Sequence, residues 1–246
     1  MSVIEHCILP DWPAPKNVKA LQSTRRGGVS LPPYESLNLG DHVGDNPLLV
    51  ARNRQQFSAI FPSEPVWLKQ VHSTTVINAA QAACVPTADA SFSRQADAVC
   101  VVMTADCLPI LLCDQDGTVV AAAHAGWRGL CDGVIETTVA TMKVPGEYLM
   151  AWLGPAISQA AFEVGDEVRA AFMAHDPQAK LAFSPTADGK WMADIYWLAC
   201  QRLQALGITQ IYGGNLCTYQ DKERFFSYRR DGVTGRMATF IWLAKA

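Results

Sequence analysis

No window of this chain approaches the roughly 18 uninterrupted apolar residues that a membrane-crossing helix needs, and the first ten residues show neither a basic opening nor an apolar core. Those absences predict a soluble, cytoplasmic protein. Charge is also sparse: 17% of residues carry it, the net charge is -3, and basic side chains are scattered apart from the pairs Arg25-Arg26 and Arg229-Arg230. A nucleic-acid or membrane-surface partner is therefore not expected. Eight cysteines are present, yet no two form a C-x-x-C pair and none fall into a framework spacing. That argues against a zinc ribbon, a thioredoxin-type redox site and a disulfide scaffold, and predicts reduced thiols packed mostly as small core residues. Repeats, low-complexity tracts and linkers are missing too, so a single domain over residues 1–246 is expected.

Half of the residues are hydrophobic, enough for a sizeable core. The runs Ala98 to Met103, Pro109 to Cys113 and Val119 to Ala123 are almost wholly apolar, as strands buried on both faces are. Shorter strands are expected at Val66 to Leu68, Thr75 to Ile77, Ala151 to Gly154, Ile208 to Tyr212 and Met237 to Leu243. Asn46-Pro47 reads as a cap and first-turn proline for a helix over Leu48 to Ile60. A second helix is expected over Gly129 to Met142, and a third after Asp194, with Ile195, Ala199, Leu203 and Leu206 on one face and Gly207 ending it. Strands cluster mid-chain, so the pattern fits an α+β fold with mixed sheets better than a simple alternating βαβ fold.

Histidine is scarce: the chain has five, His6, His42, His72, His124 and His175. Cys107 and His124 end consecutive strand-like runs, and His72 lies between two more. One thiol and two imidazoles suit Zn²⁺ with an open fourth position, or copper. Residue types alone leave open a core thiol and two hydrogen-bonded structural histidines. Gly126 and Gly129 bracket Trp127-Arg128, so Arg128 is a candidate for holding phosphate or carboxylate, or else a carbonyl cap beside a core tryptophan. Arg25 and Arg229 sit in similar Gly-containing basic turns. Asp106 is a candidate for ligand orientation or proton transfer and Glu163 a further carboxylate, against the commoner role of each in capping backbone N–H groups.

The ordered motifs Ser23-Thr-Arg-Arg-Gly-Gly-Val-Ser30, Tyr34-Glu-Ser-Leu-Asn-Leu-Gly40 with His42-Val-Gly-Asp45, Trp67-Leu-Lys-Gln-Val-His-Ser73, Thr104-Ala-Asp-Cys-Leu-Pro109, Ala123-His-Ala-Gly-Trp-Arg-Gly129, Phe162-Glu-Val-Gly165, Phe225-Phe-Ser-Tyr-Arg-Arg-Asp-Gly232 and Thr234-Gly-Arg-Met237 run from end to end. Together they resemble the YfiH family, also called the laccase-domain or polyphenol oxidase family. The resemblance implies a layered α-β-β-α fold similar to toxin deamidases with a Cys-His pair. It also implies that His72, Cys107 and His124 are metal ligands, with zinc the usual occupant. The implied activities are phosphorolysis of adenosine, inosine, guanosine and methylthioadenosine and deamination of adenosine, with purine nucleosides and phosphate as the partners. Arg25, Arg128 and Arg229 then become candidates for phosphate or substrate contacts, Asn38 for the sugar, and Cys107, His124 and Asp106 for catalysis.

Other names in the family imply a copper-dependent polyphenol oxidase or a peptidoglycan-editing factor. A conventional multicopper oxidase needs about ten histidines for its copper centres, which this chain does not have. The H-x-E and P-C-x-x-C elements of cytidine-deaminase-like enzymes are absent as well. A metal-free Cys-His hydrolase or amidase acting in peptidoglycan editing, with Cys107 as nucleophile and His124 as base, remains the main alternative.

Overall fold

The apolar mid-chain runs form the centre of two stacked sheets in the computed structural model. It describes residues 3–245, so the ends of the expected 1–246 domain fall just outside it. In chain order the elements begin with β1 (Val18–Gln22), α1 (Pro47–Gln55), β2 (Val76–Asn78), β3 (Ala90–Ser93), β4 (Cys100–Thr104), β5 (Leu108–Asp114) and β6 (Val120–Ala125). They continue with α2 (Trp127–Asp132), α3 (Val134–Met142), β7 (Leu149–Leu153), β8 (Glu163–Val164), α4 (Asp166–His175), β9 (Phe183–Pro185) and β10 (Trp191–Ala193). The last are α5 (Ile195–Ala205), β11 (Gln210–Gly213), α6 (Tyr228–Asp231) and β12 (Met237–Leu243).

The larger sheet has the order β11-β7-β5-β6-β3-β2 and is mixed: β11 with β7 and β2 with β3 are parallel, the rest antiparallel. A second sheet, β1-β12-β4, is antiparallel throughout. A third, β8-β10-β9, is small and peripheral.

Side-chain alternation sorts the core into layers. From β5 and β6, Leu108, Ile110, Leu112, Ala121 and Ala123 pack on Leu130 of α2, Val134 of α3 and Leu203 of α5. The intervening residues, Leu111, Cys113, Val120 and Ala122, face Cys100 and Val102 of β4 and Ile241 of β12. The far side of the second sheet, with Val101, Met103, Phe240 and Trp242, is covered by Phe57, Phe61 and Trp67. Phe61 meets the Phe240 ring at 4.6 Å between centroids. The result is the α-β-β-α layering expected from the family resemblance. Leu111 is fully buried between the sheets, so Leu111→Ala should cost about 2–5 kcal/mol.

Three elements depart from the sequence reading. The helix expected over Gly129 to Met142 is two helices, because Gly133 adopts a left-handed φ of 102°, which stops α2 and starts α3. The helix expected to reach Ile60 ends at Gln55, and turns bonded to Asn53 and Arg54 carbonyls carry the chain onward. Val66 makes a single bridge to Cys100 instead of opening a strand. Alternation also puts His124, like Val120 and Ala122, on the inter-sheet face of β6, at the end of the sandwich where the β4–β5 turn carries Cys107.

Candidate metal centre and its cleft

Cys107, His124 and His72 come from three separate segments and converge at that end, their ligand atoms all within 4.8 Å of one another. The Cys107 Sγ lies 3.8 Å from His72 Nε2, and the two imidazole centroids are 4.8 Å apart. Tetrahedral zinc with bonds of about 2.0–2.3 Å sets donor separations near 3.5 Å, so a small closure of these side chains would hold the ion. Gly126 makes room for it. A Cβ there would stand 2.8 Å from His72 Cδ2 and 2.9 Å from Cys107 Sγ, where a side chain would displace two donors at once.

Asp89, which the sequence reading did not single out, organises the centre. It is fully buried at the entry to β3. Its Oδ1 accepts from the His72 backbone N–H and pairs with His124 Nδ1, both at 2.9 Å. Oδ2 accepts from Val71 N at 3.2 Å, Ser73 N at 2.6 Å and Ser73 Oγ at 2.8 Å, and the Asp89 carbonyl accepts from His124 N at 2.7 Å. One carboxylate therefore pins His72 in its left-handed conformation, φ 61°, and orients His124 so that Nδ1 donates and Nε2 is left for a metal or the thiol.

The electrostatics follow from the same contacts. Burial pushes the Asp89 carboxyl up, but bonds from His124 and Ser73 outweigh it and hold it at about 2. Burial likewise raises the Cys107 thiol, and the facing His124 and His72 overcome that to bring it down to about 6. Burial disfavours a charged His124, yet the thiol and Asp89 raise it to about 9. A thiolate is thus available at neutral pH, as both metal binding and nucleophilic chemistry require.

The donors open into a cleft of about 380 Å³, within the range of small-molecule sites. Gln70, Thr104, Tyr228 and Arg236 are among its other walls. The Thr104 hydroxyl is buried there without a hydrogen-bond partner among the described residues. Gln70 is committed to Met103, donating to its carbonyl at 2.8 Å and accepting from its N–H at 2.7 Å.

Four sequence candidates for substrate contact lie outside this cleft. Asn38 is fully buried, and its amide is consumed by Gly40, Asp45 and the Arg236 backbone N–H, which leaves none of it for a sugar. Arg25 donates to the Glu35 and Lys222 carbonyls and lies over Phe226. Arg128 is exposed and folds back over Trp127, 4.3 Å from the ring centroid. The Arg229 guanidinium donates to the Glu163 carbonyl at 3.0 Å.

Asp106 is engaged by other protein groups. Its oxygens accept from the Thr218 hydroxyl at 2.6 Å and the Arg229 N–H at 2.7 Å, which ties the Cys107 turn to α6. Glu163 pairs with Lys190 at 2.7 Å. All eight cysteines are free thiols.

The sequence profile of the family described as multi-copper polyphenol oxidoreductase laccase matches residues 19–244. The chain belongs to this family, the YfiH family. Its Escherichia coli relative, named purine nucleoside phosphorylase YfiH, is 58% identical over 96% of this chain and 98% of its own length. A Pseudomonas aeruginosa purine nucleoside phosphorylase is 54% identical over 96% and 98%. A crystal structure of a Neisseria meningitidis protein superposes with a TM-score of 0.95 at 54% identity, covering 98% of this chain and all of that one. Bacillus licheniformis YfiH does so with a TM-score of 0.85 at 29% identity, covering 92% of each chain. Among the described residues of this YfiH-family chain, no helix is long and apolar enough to cross a membrane.

Proposed function

We propose that this chain is a purine nucleoside phosphorylase that binds its nucleoside in the cleft over His72, Cys107 and His124, with those three donors holding Zn²⁺. The observation that carries the reading is the donor triad itself: three soft ligands, the two histidines held by one buried carboxylate, open on the side that faces a nucleoside-sized cleft. Three protein ligands with an open position are the pattern of catalytic zinc, whereas structural zinc normally takes four. The relatives named purine nucleoside phosphorylase span nearly the whole chain and support the substrate class.

Bound zinc would supply Lewis acidity at the cleft floor. The chain's own residues do the rest: Asp89 fixes both histidines, and the sheet sandwich buries His124. In phosphorolysis a phosphate oxygen bonds to C1′ as the C1′–N9 bond breaks, and the purine leaves with a proton. Adenosine, inosine, guanosine and methylthioadenosine are the proposed substrates, and deamination of adenosine is a second reaction proposed for the same cleft. Copper in place of zinc is the alternative occupant, but five histidines are too few for a multicopper oxidase.

A second reading is favoured by one contact. Asp89, His124 and Cys107 form a carboxylate–imidazole–thiol series, the arrangement of a metal-free cysteine hydrolase or amidase, here one acting in peptidoglycan editing. The assay that tests both incubates purified protein with inosine or adenosine, with and without phosphate, and measures free base and ribose 1-phosphate. The phosphorylase reading expects both products only when phosphate is present. Base release that ignores phosphate, or no release at all, contradicts it. The hydrolase reading expects inactivation by iodoacetamide and indifference to chelators.

A further inference from the structure

The cleft has a second lobe. A cavity of about 400 Å³ adjoins the donor lobe and shares three wall residues with it, His42, Tyr228 and Arg236; Thr234 lines its far side. Among the described residues no carboxylate lines either lobe, although Asp41 lies 3.5 Å from His42 Nδ1. Arg236 is half-buried between them and makes no ion pair among the described residues. Three other half-buried arginines do: Arg54 is 3.4 Å from Asp41, Arg202 is 2.6 Å from Glu136 and Arg230 is 2.7 Å from Asp231. The charges of Cys107 and Asp106 favour the ionised form of Arg236 without pairing with it directly, and the donors left open on this desolvated cation favour an anionic ligand.

The guanidinium is also held ready. Its Nη1 donates to the carbonyls of Thr234 and Gly235, both at 3.0 Å, while Nε and Nη2 make no hydrogen bond among the described residues. Asn38 accepts from the Arg236 N–H at 2.9 Å, and a Cβ on Gly40 would stand 2.8 Å from Arg236 Cγ, so the stem packs closely against bare backbone. Independently, Thr234 is 98% buried and its hydroxyl has no hydrogen-bond partner among the described residues, as is true of Thr104 in the donor lobe. A buried hydroxyl left unpaired is costly unless a ligand completes it.

We propose that Arg236, Thr234 and His42 form an oxyanion subsite in this second lobe, and that its occupant is a phosphate group. This rests on the phosphorylase reading for the role of the anion, the co-substrate that attacks a nucleoside lying over the donors. It does not rest on that reading for the chemistry of binding. A planar guanidinium, a hydroxyl and an imidazole together match the tetrahedral oxygens of phosphate. Asn38, expected from sequence to touch sugar, becomes a positioning residue for Arg236.

The test titrates the metal-replete protein with inorganic phosphate and, separately, with adenosine 5′-monophosphate, by calorimetry without a second substrate, and measures KM for phosphate in the inosine assay. Arg236→Gln is expected to weaken phosphate binding and raise its KM at least tenfold, well beyond any change in the KM for inosine. Arg236→Lys should recover part of the loss. Thr234→Val, which keeps the side-chain shape, should raise the phosphate KM about threefold and serves if Arg236→Gln does not fold. Phosphate binding that depends on Arg236 in a protein with no phosphorolysis upholds the subsite and overturns the phosphorylase reading. Binding of the monophosphate but not of free phosphate, again lost in Arg236→Gln, upholds the subsite and assigns its phosphate to a nucleotide. Phosphate affinity within twofold of the parent in both Arg236→Gln and Thr234→Val overturns the proposal, as does a parent protein that binds neither ligand.

Discussion

Two basic regions of this molecule invite comparison. One is an open groove of about 520 Å³ that carries Arg25, Arg26, Lys222 and Arg230; the other is the donor cleft with Arg236 as its one cation apart from histidine. The groove is larger and has more positive side chains, yet Glu35, Glu223 and Asp231 line it too, and Arg26 and Arg230 are paired with Glu223 and Asp231 at 3.1 and 2.7 Å. Its charges are spent on holding loops together. The cleft has fewer charges, and no carboxylate among the described residues pairs with its arginine. Unspent capacity, an unpaired cation, unpartnered hydroxyls and a three-donor centre with an open side, marks a site better than size or charge count does.

Mutations on the two sides should behave differently. The largest effect is expected for Cys107→Ala, which removes a metal ligand and the thiolate: phosphorolysis of inosine should fall by about a thousandfold or more, equivalent to some 4 kcal/mol of barrier. Asp89→Asn should follow, lowering metal affinity or activity about 10–100-fold as His72 and His124 lose their common anchor, read by metal competition titration. Gly126→Ala, which pushes a methyl against His72 and Cys107, should lower metal affinity about tenfold with the fold intact by circular dichroism. On the groove side, Arg25→Ala should cost about 1 kcal/mol of stability through lost bonds to the Glu35 and Lys222 carbonyls and leave the phosphate KM unchanged. Arg128→Ala should shift stability by less than about 0.5 kcal/mol and change neither KM. A phosphate KM that rises in Arg25→Ala or Arg128→Ala would erase the contrast between the two regions.

Asp89 also gives the donor end a signature in acid. Its carboxyl ionises at about 2 in the fold against an ordinary 3.8, a depressed value, so its contribution is complete above about pH 4 and is lost as pH falls towards 2. That difference corresponds to about 2 kcal/mol. Denaturant melts of the parent should lose stability across this window, and Asp89→Asn should flatten that part of the curve.

How far the sequence foretold this depends on which signal each residue leaves. The donors were legible because histidine is rare here and because Cys107 and His124 end apolar runs whose burial is written in their composition. The layering came from the family resemblance, while the alternation in β5 and β6 shows why it holds: every second residue faces the other sheet. Asp89 was hidden because an acid in Thr87-Ala88-Asp89-Ala90 resembles ordinary turn punctuation until its five donors are seen in space. The one usable hint was a lone charge at the entry to a small-residue strand.

The arginines were hard to read for a related reason. Gly-flanked pairs such as Arg25-Arg26 and Arg229-Arg230 look like anion loops, but their carbonyl and carboxylate partners come from distant segments and cannot be read locally. Arg236, quoted within Thr234-Gly-Arg-Met237, stood out only by the absence of such partners. The helix break at Gly133 was missed because its neighbours keep helical apolar spacing on both sides of the left-handed residue.

The most direct test of the metal-centred cleft is the metal content of the purified chain beside Cys107→Ala, measured by elemental mass spectrometry with folding checked by thermal melt. About one zinc per chain in the parent, and little in a folded Cys107→Ala, is the predicted result. Stoichiometric zinc that persists in Cys107→Ala would contradict it.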